Sequence, residues 1–144
     1  MKKGFTLIEL LVTIMIIGIL VGIVTFGLRQ VQGSSRDGRR KADLEVISIG
    51  LELYRADCNR YPAGLSFGGS LDGDGTGACT GAYIATVPVD PVPSVRSYSY
   101  ATNPQGTLFY LCANLEQDPN PAVSTSGCAS CNGPGGCDWR VARP

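Results

Sequence analysis

The hydrophobic pattern divides the chain in two. From Phe5 to Leu28 apolar residues run for 24 positions with a single charge, Glu9. A helix of that length, at about 1.5 Å per residue, spans roughly 36 Å and exceeds the ~30 Å hydrocarbon core of a bilayer. Lys2 and Lys3 precede the run and Arg29 follows it. A secretory signal has a core of only about 7–15 residues and then a small-x-small cleavage site; no such site follows here. From Gln30 to Asp57 the pattern becomes amphipathic. Val46, Ile49, Gly50 and Leu53 share one face, which Ile47, Leu51 and Tyr54 extend, while Glu45, Glu52 and Arg55 fall on the other. Such a stripe is expected to cover a sheet. Arg39 with Asp43 and Lys41 with Glu45 are i,i+4 pairs. Gly33-Ser34-Ser35 marks a place for a bend. The helix is expected to end near Cys58-Asn59, ahead of Tyr61-Pro62.

Past that point the helical period is lost. Residues 58–94 read as a loop with little regular structure. Ser94 to Ala101 alternates, Thr107 to Leu115 is rich in β-formers, and Thr102-Asn103-Pro104-Gln105-Gly106 between them carries turn signals. Together these predict a hairpin, with Trp139 to Ala142 as a short last strand. All nine prolines lie at or after Pro62 and all six cysteines at or after Cys58. The 87 residues beyond position 57 have a modest apolar content. A module of that kind needs staples, and disulfides of about 2–4 kcal/mol each supply them. Six cysteines allow 15 pairings. The expected pairing joins Cys58 to Cys79, bracing the loop to the helix, with Cys112, Cys128, Cys131 and Cys137 paired among themselves. Cys128-Ala129-Ser130-Cys131 is a CxxC, but it lacks a second zinc half-site and a thioredoxin-like βαβ context. Persistent disulfides place residues 58–144 outside the cytoplasm.

Composition narrows the chemistry. The chain has 144 residues, 12 basic against 12 acidic, and no histidine. Histidine-based nucleophile activation and histidine metal sites are excluded. A neutral total disfavours nucleic-acid binding by bulk charge. The cluster Arg36, Arg39, Arg40 and Lys41 reads first as a solvated helix face, then as a contact for lipid headgroups or a neighbour's acidic residues, and last as a DNA site. Leu71-Asp72-Gly73-Asp74-Gly75-Thr76-Gly77 is the one candidate ion site. Asp72, Asp74 and Thr76 fall at positions 1, 3 and 5 of an EF-hand loop, with Gly77 at 6, but Tyr83 stands where a bidentate Glu belongs. Calcium is the possible cofactor, and ordinary Gly/Asp turn chemistry is the plainer reading. No catalytic constellation stands out, and no enzyme is expected.

Glu9 sets the functional question. A carboxylate inside an apolar helix is unfavourable in a membrane, and a passive anchor has no use for it. No Lys, Arg or His lies within one turn of it. A cation made by cutting after Gly4, the amine of Phe5, is a partner of the right kind. Met1-Lys2-Lys3-Gly4 followed by Phe5-Thr6-Leu7-Ile8-Glu9-Leu10-Leu11-Val12 resembles the class III leader of type IV pilins and type II secretion pseudopilins. The resemblance implies that residues 1–4 are a leader removed at the cytoplasmic face of the inner membrane. It implies that Phe5 is then N-methylated and that Glu9 pairs with the N-terminal amine of an adjacent subunit. Gly18, Gly22 and Gly27 interrupt the helix; glycine is common in membrane helices, and in this family it permits local melting in the filament. The helix-breaking proline of many pilins is absent here.

The resemblance extends, more loosely, through Asn59-Arg60-Tyr61-Pro62 and Val87-Pro88-Val89-Asp90-Pro91. It implies an α+β fold: a long N-terminal helix, one half transmembrane and one half amphipathic, packed on a small antiparallel β-sheet. The expected divisions are 1–4 leader, 5–28 transmembrane and assembly helix, 29–57 amphipathic helix and 58–144 globular module. The function implied is that of a structural subunit of a type IV pilus-like filament, a homo-oligomer built from a membrane precursor by a prepilin peptidase/methylase and an assembly machinery. Its end point is the cell surface. The alternative within the family is the major pseudopilin of a type II secretion system, a family that binds calcium near its sheet. From other classes come a non-polymerising membrane-anchored calcium- or ligand-binding module and a DNA-uptake minor pilin. Loss of the leader leaves 10 basic against 12 acidic side chains, which disfavours the last.

Overall fold

The computed structural model describes residues 4–117 and 126–143. Its elements are α1 (Leu7–Cys58), β1 (Leu71–Asp72), β2 (Ala82–Ile84), β3 (Ser99–Thr102), β4 (Phe109–Ala113) and β5 (Trp139–Arg143). The chain forms two units, Met1–Ser35 and Arg36–Pro144.

In the first unit the described residues are an apolar helix preceded by three non-helical residues, Gly4 to Thr6. Near the chain's N-terminus α1 is long and apolar enough to cross a membrane, and this stretch is not buried within the fold. Its two interior threonines satisfy their hydroxyls locally: Thr13 donates to the carbonyl of Leu10 at 2.8 Å and Thr25 to that of Gly22 at 2.9 Å. Lipid offers no hydrogen bonds, so this return to the helix's own backbone is what an apolar medium demands. The expected bend does not appear as a break, since Gly33-Ser34-Ser35 stays helical.

In the second unit α1 packs on the sheet through Leu44, Ile47, Leu51 and Tyr54. They meet Tyr61, Val87, Phe109, Leu111 and Ala113 in one core. The buried stripe therefore differs from the expected one. Ile47, Leu51 and Tyr54 are its centre, and Val46, Ile49 and Leu53 point outward, each more than half exposed at 53, 54 and 53 %. Gly50 is part of the contact. A Cβ there would stand 2.3 Å from the Ile84 side chain, so only glycine lets that residue reach the helix. Asn59, with φ at 57°, turns the chain out of α1 in the left-handed conformation that helix ends favour.

β3, β4 and β5 form one antiparallel sheet in that order, with Ser99 opposite Cys112, and Cys112 opposite Arg140. The hairpin strands are shorter than expected. Asn103 fixes their turn, its Oδ1 accepting from the backbone N–H groups of Thr107 at 2.8 Å and Leu108 at 3.0 Å. Within the region expected to be loop, β1 and β2 pair as a small antiparallel ribbon, Leu71 opposite Ile84. The disulfides are Cys58–Cys79, Cys112–Cys128 and Cys131–Cys137. The first closes a 21-residue separation, worth about 3 kcal/mol by loop entropy, and ties the end of α1 to the ribbon.

Candidate functional site: the N-terminal segment and its carrier

Gly4, Phe5 and Thr6 lie ahead of α1 and are exposed, Phe5 by 90 %. The Gly4–Phe5 bond is thus accessible and outside the helix. Thr6 and Glu9 then make a reciprocal cap. The Thr6 backbone N–H donates to Glu9 Oε2 at 2.8 Å, the Thr6 hydroxyl donates to the same oxygen at 2.7 Å, and the Glu9 N–H reaches back to the Thr6 hydroxyl at 3.4 Å. This is the capping box S/T-x-x-E, which satisfies two orphan donors at a helix start and places a carboxylate at the positive end of the helix dipole. The carboxylate that looks unpartnered in sequence is thus held within its own chain by Thr6. Sequence reasoning passed over Thr6, although its signal was present: Thr6-Leu7-Ile8-Glu9 ahead of an apolar run. The geometry also has a chemical consequence. The N–H that binds Glu9 belongs to Thr6, so a cut after Gly4 would put the new ammonium on the residue just before the one that holds this carboxylate.

The basic cluster after residue 35 is only in part a solvated face: Arg39 and Lys41 are exposed, while Arg36 and Arg40 turn to the fold. Arg40 is completely buried. Its Nε and Nη2 donate to the two oxygens of Asp90 at 2.7 and 3.0 Å, and Nη1 donates to Asp37 at 2.7 Å and Glu116 at 3.0 Å. Arg36 forks onto Glu116 as well, Nε at 2.7 Å. Asp37 in turn accepts the backbone N–H groups of Glu116 and Gln117, both at 2.9 Å. Two guanidinium groups and three carboxylates so bind α1 to the 90 and 116 loops. Lys41 stands over the Trp139 ring at 4.4 Å. Arg39 remains largely exposed, 3.9 Å from Asp43.

Hydrogen bonding from Arg36, ahead of Arg40, holds the Glu116 carboxyl down to about 2, from an ordinary 4.5. A lowered folded-state value stabilises the fold above the unfolded value and loses that stabilisation as pH falls through the folded one. Acid titration of the melting temperature is therefore expected to show a decline between about pH 5 and pH 2 that Glu116→Gln flattens. An unchanged acid limb in the variant would remove Glu116 from the account.

The candidate ion loop has other employment. Asp74 accepts from the Thr76 N–H at 2.9 Å and hydroxyl at 2.5 Å, and from Arg60 at 2.7 Å. These donors, Thr76 first, pull its carboxyl down to about 2. Asp72 accepts from the Ser70 hydroxyl at 2.5 Å. Among the described residues no three His, Cys, Asp or Glu side chains gather as a metal-binding group. Asp74 and Thr76 form a hydrogen-bonded turn that Arg60 closes and the Cys79 sulfur braces, with Asp72 just before it against Ser70. A melting temperature that falls on addition of a chelator would support calcium at this loop, and one that does not change would remove it.

An exposed Gly4-Phe5 step, a capped glutamate at the head of a membrane-length helix, and a disulfide-tied sheet on that helix's far half are the features of the prepilin class. Residues 1–25 match the family model described as the prokaryotic N-terminal methylation motif. Type II secretion system core protein G of Aeromonas hydrophila is 31 % identical over 96 residues, 62 % of this chain and 67 % of the relative. The protein of that name from Klebsiella pneumoniae is 29 % identical over 96 residues, 62 % of this chain and 69 % of the relative. The one from Pectobacterium carotovorum is 36 % identical over 64 residues, 43 % of this chain and only 40 % of the relative's length. No solved structure matches. The chain belongs to the type IV pilin and pseudopilin family.

Proposed function

We propose that the chain is a structural subunit of a type II secretion pseudopilus, a filament polymerising through the N-terminal helix after leader removal and N-methylation. The relatives' name favours this over the exposed-pilus reading expected first from sequence. Residues 1–4 are the leader, 5–28 the membrane-spanning and assembly helix, 29–57 the amphipathic helix, and 58–144 the module outside the inner membrane. The carrying observation is the Thr6–Glu9 cap beside the Gly4–Phe5 bond. It holds one carboxylate ready at the point where processing creates one cation. The partners are further copies of the chain, the peptidase/methylase, the membrane of the precursor and the assembly machinery. Gly4→Val is expected to leave a precursor four residues too long in the membrane and no filaments in the sheared fraction of the host. Filaments at wild-type level from that variant would contradict the processing step.

A further inference from the structure

We propose that the outward apolar ridge of α1, formed by Val46, Ile49 and Leu53, seats in a cavity beside Val89 on a second copy of this chain. The proposal rests on the filament reading and names the contact by which the sheet-bearing units meet. Three large aliphatics at i, i+3 and i+7 are each exposed by 53–54 % on a helix whose other face is the core. An apolar row of this kind marks an interaction site. Beside it runs a groove of about 310 Å³ bordered by Glu45, Ser48, Glu52 and Arg143.

Among the described residues from 36 onward, the other large exposed aliphatics are Val89 and Val95, at 43 and 47 %. Val89 helps line a cavity of about 150 Å³ with Phe67, Pro93, Arg96 and Tyr98. The Asp90 carboxylate in that lining is committed to Arg40. The ridge is thus flanked by two carboxylates and one arginine, and the cavity by one arginine and a neutralised aspartate. Ridge against cavity sets Glu45 and Glu52 facing Arg96. Ridge against ridge brings together two surfaces of the same net negative sign, whereas the cavity offers the opposite sign, so the ridge selects the cavity rather than itself. Two unlike patches joined head to tail do not close on a two-fold axis; they repeat into a helical array.

The test uses the full chain in the host envelope, with photoreactive benzoylphenylalanine at position 49 in one strain and at position 15, inside the apolar segment, in another. Irradiation is followed by reduction, trypsin digestion and mass spectrometry. The expected result is a copy-to-copy product in both strains, with position 49 joined to the tryptic peptide Tyr61–Arg96. Val89→Glu is expected to lower the position-49 product at least tenfold and leave the position-15 product unchanged. A position-15 product alone, or position 49 joined to another segment or another protein, overturns the ridge-to-cavity contact and leaves the filament reading intact. No copy-to-copy product in either strain overturns both.

Discussion

Replacing Glu9 by alanine is expected to abolish filaments while leaving insertion and the sheet-bearing unit intact. In the single chain Glu9 caps the first turn of α1 together with Thr6, so its loss weakens that turn only locally. The core of the second unit lies elsewhere, on Leu44, Ile47, Leu51 and the sheet, so its folding does not depend on this cap. Assembly asks more of the residue. In the proposed filament, gathered helices withdraw their first turns from water, and each chain cut after Gly4 would bring a new ammonium into that setting. An ion left unpaired there costs several kcal/mol, whereas a paired one largely recovers its desolvation. A subunit one step out of register leaves both charges unpaired, so the pair selects position as well as binding. The variant is checked by electron microscopy of sheared fractions and by membrane fractionation. Abundant regular filaments from Glu9→Ala would remove the ion pair from the assembly account.

Arg40→Ala is expected to be the most destabilising single substitution in the second unit, by about 3–5 kcal/mol. The change deletes a fully buried guanidinium and strands Asp90, whose side chain is only 1 % exposed, together with Asp37 at 8 %. Against a total stability of roughly 5–15 kcal/mol that is a large share. Arg40→Lys keeps the charge and loses the two-pronged contact with Asp90, so it is expected to fall between wild type and alanine. Denaturant titration of the full chain in detergent, followed by the fluorescence of its single tryptophan, Trp139, reads the difference. A loss below 1 kcal/mol for alanine would mean that water replaces the guanidinium without penalty.

What was legible in sequence follows from how strongly each element depends on local signals. The apolar run and the end of α1 at Cys58 are written in composition and in the turn chemistry of Asn59 and Pro62, and the structure places them there. The buried face of α1 was read incorrectly because apolar residues stand on both sides of the helix after Asp43. Periodicity identifies two stripes at helical spacing, and only the sheet decides which one is covered. Arg40 was read as a surface charge for a related reason. Its partners Asp90 and Glu116 lie 50 and 76 residues away, and no local pattern joins them. The β1–β2 ribbon is held by the Cys58–Cys79 bond and by Ile84 reaching over Gly50, contacts too distant to show in a two-residue strand. The Thr6–Glu9 cap, by contrast, is fully written in four consecutive residues.

The most direct measurement is the intact mass of the protein from its host, taken unreduced and again after reduction and alkylation. A mass that begins at N-methylated Phe5, with all six cysteines oxidised before reduction, is the expected result. It would join the cut, the new ammonium and the oxidising compartment in one observation. A mass that still begins at Met1, in cells that assemble filaments containing the chain, would contradict the account, because Glu9 would then have no processed amine to meet.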